Sequence, residues 1–450
     1  MHNTPSRRTF VASAATLGLS LPAILPRLTR AASPNSKLNI AGIGVGGMGF
    51  NNIRQMADEN IVALCDVDRR RYRRPAELFP EARLYQDYRR LLDDSKDVEA
   101  VLVATPDHTH AVITSAVMAA GKHVYCQKPL THDVWEARML AQQAKSAGVV
   151  TQMGNQYHSS EGIRLACEWI ADGAIGPVRR VDAWCSLAYS PFGHAYWSTL
   201  LGDRPTQTPP VPEELDWNAW LGPAPFRSYH PTYHPAKWRA WWDFGCGMMG
   251  DRGVHTLDSV FWSLKLGAPS KIELVHRERG NDEVHPDIAH VKFHFEPRGD
   301  MPAVVVNWYE GMEAPRPSAD VLEPDRQMGD KQGGAIYYGD SGALMHGTYP
   351  GSVRLIPEPA MQAYKRPAKT VPRVTTVHEK QWIESCKANQ PASSDFSYAG
   401  PLTEMCLLGN IAIRLGGVIQ WDSENMKAIG RPEADPWIKR PRREGWALHV

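Results

Sequence analysis

The sequence predicts an α/β fold. A doubly wound parallel sheet comes first, and an α+β domain with a large, mostly antiparallel open sheet follows. Three observations carry this prediction. Short apolar, β-prone runs alternate with helical segments from residue 38 to 153. A glycine-rich turn, Gly44-Val-Gly46-Gly47-Met48-Gly49, directly follows the first of these runs. After residue 270, β-rich runs succeed one another across hairpin-like turns.

The elements follow in order. Residues 38–43 are apolar enough for a strand buried on both faces. The glycines then open a helix over 48–57, and a strand over 61–65 ends in Asp66. Residues 78–92 read as helix, a short extended piece, and helix. Strands are predicted at 98–104, 123–126 and 149–153. The helices between them, 109–120 and 133–147, stop at Gly121 and Gly148. Beyond residue 160 come a helix at 161–171 and a strand at 178–187. An irregular stretch at 190–243, dense in Pro, Trp, Tyr and His, is the default substrate loop. A helix at 249–264 precedes strands at 271–276, 288–295, 303–309, 335–338, 343–346 and 353–356. Helices at 376–388 and 400–415 close the chain.

The glycine turn has a specific chemistry. Gly44 permits a tight turn, Gly46 lets the backbone approach a pyrophosphate, and Gly49 lets helix pack close to strand. Gly47 and Met48 lie where the helix N-terminus offers N–H groups and a positive dipole end to phosphates. Asp66, 22 residues after Gly44, stands where a carboxylate accepts from the adenine ribose hydroxyls. This is a Rossmann dinucleotide fingerprint. Asp66 would repel a 2′-phosphate and favours NAD, while Arg69, Arg70 and Arg71 close behind it leave NADP possible. Ligands bind such sheets beyond the carboxyl ends of the strands. Thr105, Pro106, Asp107, His108 and His110 follow one strand, Gln127 and Lys128 the next, and Gln156 and Tyr157 the last.

The predicted domains are a signal segment at 1–33, an NAD(P)-binding domain at 34–157 and a substrate and oligomerisation domain at 158–450. The first segment reads Ser6-Arg7-Arg8-Thr9-Phe10-Val11, then apolar residues to Leu25, with Ala31 and Ala32 after them. It resembles a twin-arginine signal. That route exports folded proteins, so a periplasmic protein carrying tightly bound cofactor is expected. The apolar core is too short for a transmembrane helix, and none is expected in the mature form. A formal net charge of +1 over 450 residues gives no reason to expect nucleic acid as a partner. The seven cysteines form no C-x-x-C pair, and no metal-ligand spacing occurs. Fifteen tryptophans suit both sugar stacking and core packing, with core the safer reading for any one of them.

Three segments carry a resemblance: Ala104-Thr-Pro-Asp-His-Thr-His110, Cys126-Gln-Lys-Pro-Leu130, and Gly250-Asp-Arg-Gly-Val-His-Thr-Leu-Asp258. With the glycine turn they resemble the Gfo/Idh/MocA family of glucose–fructose oxidoreductase, inositol dehydrogenase and relatives. Trp238-Arg-Ala-Trp-Trp-Asp-Phe-Gly245 is similar to a secreted branch of NAD-dependent glycosidases. The resemblance implies that Lys128 lies beside the nicotinamide and touches the reacting hydroxyl. A lysine can take that proton if burial or nearby positive charge lowers its pKa. The family's Glu is replaced here by Gln127, which keeps hydrogen bonding but loses the charge.

Asp251, His255 and Asp258, spaced by four and three, share one face of a helix. The resemblance places Asp251 and His255 in the substrate pocket, whereas Asp258 reads as structural. Tyr233 and His234 are further acid–base candidates. Tyr157, Arg239, Trp242 and His255 are candidate substrate contacts. The resemblance also implies a homo-oligomer, dimer or tetramer, and a small carbohydrate substrate. Three functions are in view: hydride transfer at a sugar hydroxyl, glycoside cleavage through transient oxidation at C3, and an inactive binding protein that keeps the fold.

Overall fold

Six short strands pair in parallel as the first sheet: β1 (Asn39–Ile43), β2 (Asn60–Cys65), β3 (Arg83–Tyr85), β4 (Ala100–Val103), β5 (His123–Cys126) and β6 (Thr151–Met153). Their order is β3-β2-β1-β4-β5-β6, so the winding reverses between β1 and β4. A crevice opens there at the carboxyl ends. β4 is buried along its whole length, which explains its uninterrupted apolar sequence. The structure, a computed structural model, describes residues 36–188 and 201–450. The predicted signal segment at 1–33 and residues 190–200 of the predicted loop lie outside the described residues.

The second sheet has nine strands among the described residues: β7 (Val178–Cys185), β8 (Lys271–Glu278), β9 (Ile288–Phe295), β10 (Val304–Glu310), β11 (Gly333–Gly339), β12 (Gly342–Gly347), β13 (Val353–Ile356), β14 (Val418–Asp422) and β15 (Lys427–Ala428). Only β7 and β10 pair in parallel, and every other pairing is antiparallel. Burial alternates strictly along β9, as one covered face requires. The sequence reading misses β14 and β15. One is a five-residue segment behind two glycines and the other is a two-residue edge, both too short for a period to show.

Four local features bear on the site. The predicted helix at 249–264 begins as a π-helical turn, Met249–Gly253, before the α-helix Val254–Ser263. The irregular stretch contains the short helix Trp217–Leu221, whose Trp217 and Trp220 stack at 4.6 Å inside the core. Helix His378–Ala388 returns to the first sheet, where Trp382, Ile383 and Cys386 share an apolar cluster with Ile40, Leu102 and Tyr125. Helix Phe396–Leu415 packs on Val134–Ala147 and starts earlier than predicted, because Asp395 caps it and Pro401 falls inside. These late segments join the first domain to the C-terminal part of the described chain.

Two glycines of the turn, Gly44 and Gly49, are closed in by backbone that leaves no room for a side chain. Gly44 has φ +77°, and a Cβ there would lie 2.7 Å from the Ala104 backbone. A Cβ on Gly49 would lie 1.7 Å from the Gly44 carbonyl oxygen. Gly49→Ala should therefore destabilise by ~1–3 kcal/mol or more and weaken nucleotide binding. Thermal unfolding and a dinucleotide titration check this, and wild-type values in both would contradict it.

Candidate active site

A cavity of about 1240 Å³ runs along the carboxyl ends of the parallel strands and under the segment 234–255. Gly44, Gly46, Gly47 and Met48 line one end, with helix Met48–Gln55 presenting its N-terminus there. Asp66 stands beside the turn. Its Oδ2 accepts from the backbone N–H groups of Val45 at 3.1 Å and Gly46 at 3.3 Å, and its Oδ1 from Asp68 at 3.0 Å. Burial raises its pKa to about 6, against the pull of these N–H groups and Arg71. Arg70, Arg71, Arg73 and Arg74 line this end too. Arg69 does not. Its guanidinium donates to the Glu213 carbonyl at 3.3 Å, which corrects its assignment to the cofactor. The glycine cradle, open helix end and half-buried carboxylate fit an adenine dinucleotide.

Lys128 lies at the other end, just past β5. Its ammonium donates to the Asp251 carbonyl at 3.0 Å and to the Asp251 carboxylate. Burial pulls Lys128 below a lysine's ordinary pKa. Asp251 opposes that shift, and Arg239 and Arg252 add to it. Burial also works against the Asp251 carboxylate, but Lys128, Arg239 and Arg252 hold its pKa well below the usual carboxylate range. His255 follows one turn on, lines the same cavity and leaves its buried Nδ1 without a hydrogen-bond partner. Burial and the Lys128 charge hold this imidazole neutral, its pKa well below the ordinary value.

Thr105, Pro106, Asp107, Gln127, Gln156 and Tyr157 line the cavity as the sequence anticipates, and so do His234 and Arg239. Gln127 is held on both sides. Its Nε2 donates to Asn52 at 2.9 Å, whose Nδ2 donates to the Glu379 carboxylate at 2.6 Å. Its Oε1 accepts from the Lys128 backbone N–H at 3.2 Å. Thus a carboxylate remains two hydrogen bonds from position 127. His234 pairs with Asp68 through Nε2 at 2.8 Å, far from Lys128 in the hydrogen-bond network. Tyr157 stacks on Tyr349 at 4.5 Å.

Besides Arg69, four predicted residues lie elsewhere. Tyr233 is buried among Trp217, Trp241 and Phe244 and does not line the cavity. Trp242 faces away, packing on His285 and donating to the Asn281 carbonyl at 2.9 Å. The aromatic density of this segment serves the core, as bulky rings in a long loop must be buried somewhere. His108 sits between the carbonyls of Trp220 and Phe244, its pKa pulled to about 4 by burial. His110 touches no cavity wall but holds one in place. Its nitrogens lie 2.7 Å from the Pro129 carbonyl and 2.8 Å from the Thr105 carbonyl. Both partners can only accept, so a ring charged on both nitrogens suits them. His108 has two carbonyl partners as well, and it is Cys126 and Asp107 beside His110 that tip its balance the other way. Burial opposes that charge, yet Cys126, Asp107 and the Pro129 carbonyl raise the pKa to about 9. His110 therefore clamps the Lys128 turn to the end of β4.

Asp258 is structural, as anticipated, accepting from Asn155 at 2.8 Å, His158 at 2.9 Å and Tyr398 at 2.6 Å. The π-turn breaks the expected single face. Asp251 and His255 point to the cavity, and Asp258 points into the core. Sequence reasoning missed Arg252 and Tyr349 in the cavity wall. Arg252 was legible beside Asp251, whereas Tyr349 arrives from the far end of β12 with no local signal.

Known families bear on this geometry. Residues 38–155 match the NAD-binding Rossmann-fold model of the Gfo/Idh/MocA oxidoreductase family, and residues 189–297 match the family's C-terminal alpha/beta domain model. The chain belongs to the Gfo/Idh/MocA family. NAD is accordingly the cofactor of its first domain. Levoglucosan dehydrogenase of Pseudarthrobacter phenanthrenivorans is 31% identical over 121 residues, covering 26% of this chain and 31% of that protein. Myo-inositol 2-dehydrogenase of Thermotoga maritima is 28% identical over 141 residues, covering 31% of this chain and 42% of that protein. The match thus spans about a third to two fifths of these relatives. The fold is also that of an inositol dehydrogenase homolog from Azotobacter vinelandii, solved with NADH and myo-inositol. Its TM-score is 0.56 at 17% identity, covering 87% of this chain and 100% of that one.

The Lys128–Asp251 pair gives this Gfo/Idh/MocA site a pH signature. Asp251 raises the Lys128 pKa, so Asp251→Asn should lower it further. If neutral Lys128 is the working form, the rising limb of kcat/KM moves to lower pH in that variant. An unmoved limb would contradict the pairing.

Proposed function

We propose that this protein is an NAD-dependent oxidoreductase that transfers hydride at a hydroxyl of a sugar or sugar derivative. The observation that carries the reading is the largely buried ammonium of Lys128, held in the cavity by Asp251. Oxidising an alcohol removes a hydride from carbon and a proton from oxygen, and bound NAD supplies the hydride acceptor. Lys128 takes the hydroxyl proton onto Nζ once it is neutral, a state that burial and the two guanidiniums favour. Asp251 orients that nitrogen and stabilises the charge it gains. His255, neutral and with a spare nitrogen, hydrogen-bonds a neighbouring hydroxyl of the substrate. Tyr157 and Tyr349 cover the apolar face of a sugar ring. The dehydrogenases named above act on compounds of this kind.

The twin-arginine-like start of the sequence supports export with the nucleotide already in place and a periplasmic location. A protein outside the cytoplasm must regenerate its cofactor in place, so a second sugar returns the hydride. A second reading, glycoside cleavage by transient oxidation, elimination and water addition, draws on His255. Its orphaned nitrogen gives the cavity an acid–base group besides Lys128.

Full-length protein carrying its nucleotide is expected to show reduced nicotinamide absorbance on adding a reactive sugar. Lys128→Met should lower that rate by ~10²–10⁴-fold while retaining nucleotide. Wild-type rates in the variant would sink the reading. Release of nitrophenol from nitrophenyl glycosides without added cofactor, abolished by Lys128→Met, would instead establish the second.

A further inference from the structure

The reacting end of the cavity carries more positive than negative charge. Lys128, Arg239 and Arg252 line it, against Asp251 and Asp107. Asp107 accepts from the Cys246 N–H at 3.0 Å, and His110, Arg239 and Lys128 all lie close enough to influence its ionisation. Asp251 and Asp107 thus face three cations of the cavity wall, Lys128, Arg239 and Arg252, which leaves a positive charge over. The other acids of the cavity wall, Asp66, Glu77 and Asp87, belong to the β2–β3 side with Arg70, Arg71, Arg73 and Arg74. Residues 189–200, outside the described residues, contain no Asp or Glu in their sequence.

Arg252 shows where an anion would sit. Its guanidinium lies over the Tyr349 ring at 5.4 Å, and its Nε is 3.7 Å from Asp251, too long for a hydrogen bond. That Nε is buried and has no hydrogen-bond partner among the described residues. A buried unpaired guanidinium N–H is costly. It marks a place where an acceptor is missing. His255, more than nine-tenths buried, leaves Nδ1 unpartnered on the same wall. A planar guanidinium matches a carboxylate or phosphate by paired N–H donors, which an ammonium or a neutral hydroxyl does not reproduce.

We propose that the substrate is a sugar bearing an anionic group, carboxylate or phosphate, seated on Arg252 with Arg239 adding to the field. The proposal rests on the oxidoreductase reading above and narrows its substrate class. The reacting hydroxyl lies at Lys128 and the anion lies toward Arg252, so the two groups belong to different carbons of one molecule. Bound nicotinamide, cationic when oxidised, adds to the positive field and strengthens the preference in that state.

Matched sugars test this with the nucleotide-loaded, full-length protein. D-Glucose, D-glucuronate and D-glucose 6-phosphate differ only at C6, and the galactose series repeats the comparison. Titration calorimetry reads binding, and nicotinamide absorbance reads turnover. In at least one series, the carboxylate or the phosphate member should bind ten-fold or more tightly than the neutral one. Which of them binds identifies the anion. That affinity should fall as salt rises, and neutral-sugar affinity should not. Arg252→Gln should erase the preference, and Arg252→Lys should keep part of it. If Arg252→Gln fails to fold, Arg252→Lys and the salt series decide. Neutral sugars that bind as well as charged ones in both series, charged sugars that do not bind, or a preference that survives Arg252→Gln would each overturn the proposal. Reduction of nicotinamide by neutral sugars alone would overturn only this inference. No reduction by any sugar, with nucleotide bound, would overturn the oxidoreductase reading beneath it.

Discussion

The ion pair between Lys128 and Asp251 is the constraint on which the cavity depends. Lys128 comes from the turn after β5 of the parallel sheet, and Asp251 from the π-turn ahead of helix Val254–Ser263. Their meeting fixes the reacting end of the cleft across more than a hundred residues of chain. Removing one member of such a buried pair costs ~3–5 kcal/mol, because the other is left charged and unpaired. The pair also sets protonation: Asp251 raises the Lys128 pKa, and burial and the two neighbouring guanidiniums lower it.

The surroundings hold that pair in register. His110 ties the Pro129 carbonyl to the end of β4, so the lysine turn cannot drift from the crevice. Gln127 anchors the same turn from the other side through Asn52 and Glu379, which brings helix His378–Ala388 into the arrangement. Asp258 gathers Asn155, His158 and Tyr398, joining the end of the first sheet to the helix that carries His255. Each is a buried polar network with its partners nearby, the condition under which such groups rigidify a site.

Much of this was legible because it is local. The parallel sheet follows from alternating apolar runs and glycine stops, and the nucleotide end from Gly44, Gly49 and Asp66 alone. Lys128, Asp251 and His255 were found by motif and strand-end position. What failed was orientation. Residues 233, 234, 239 and 242 are close in sequence, yet His234 and Arg239 reach the cavity while Tyr233 and Trp242 are buried. No periodicity governs an irregular segment, so nothing in the sequence sorts them. The histidines 108 and 110 likewise looked like cavity residues, but two carbonyl partners each turn them inward. Tyr349 became visible only through the fold, since the turn after β12 is distant from every motif.

The most direct test of this account is a crystal structure of the full-length protein with NAD and a bound sugar. The account predicts pyrophosphate against Gly44–Met48 and nicotinamide beside Lys128. A substrate hydroxyl should lie ~2.6–3.2 Å from Lys128 Nζ, and its carbon ~3–3.5 Å from the nicotinamide. Nucleotide bound with the nicotinamide turned away from Lys128, or a sugar held where neither Lys128 nor His255 reaches it, would contradict it.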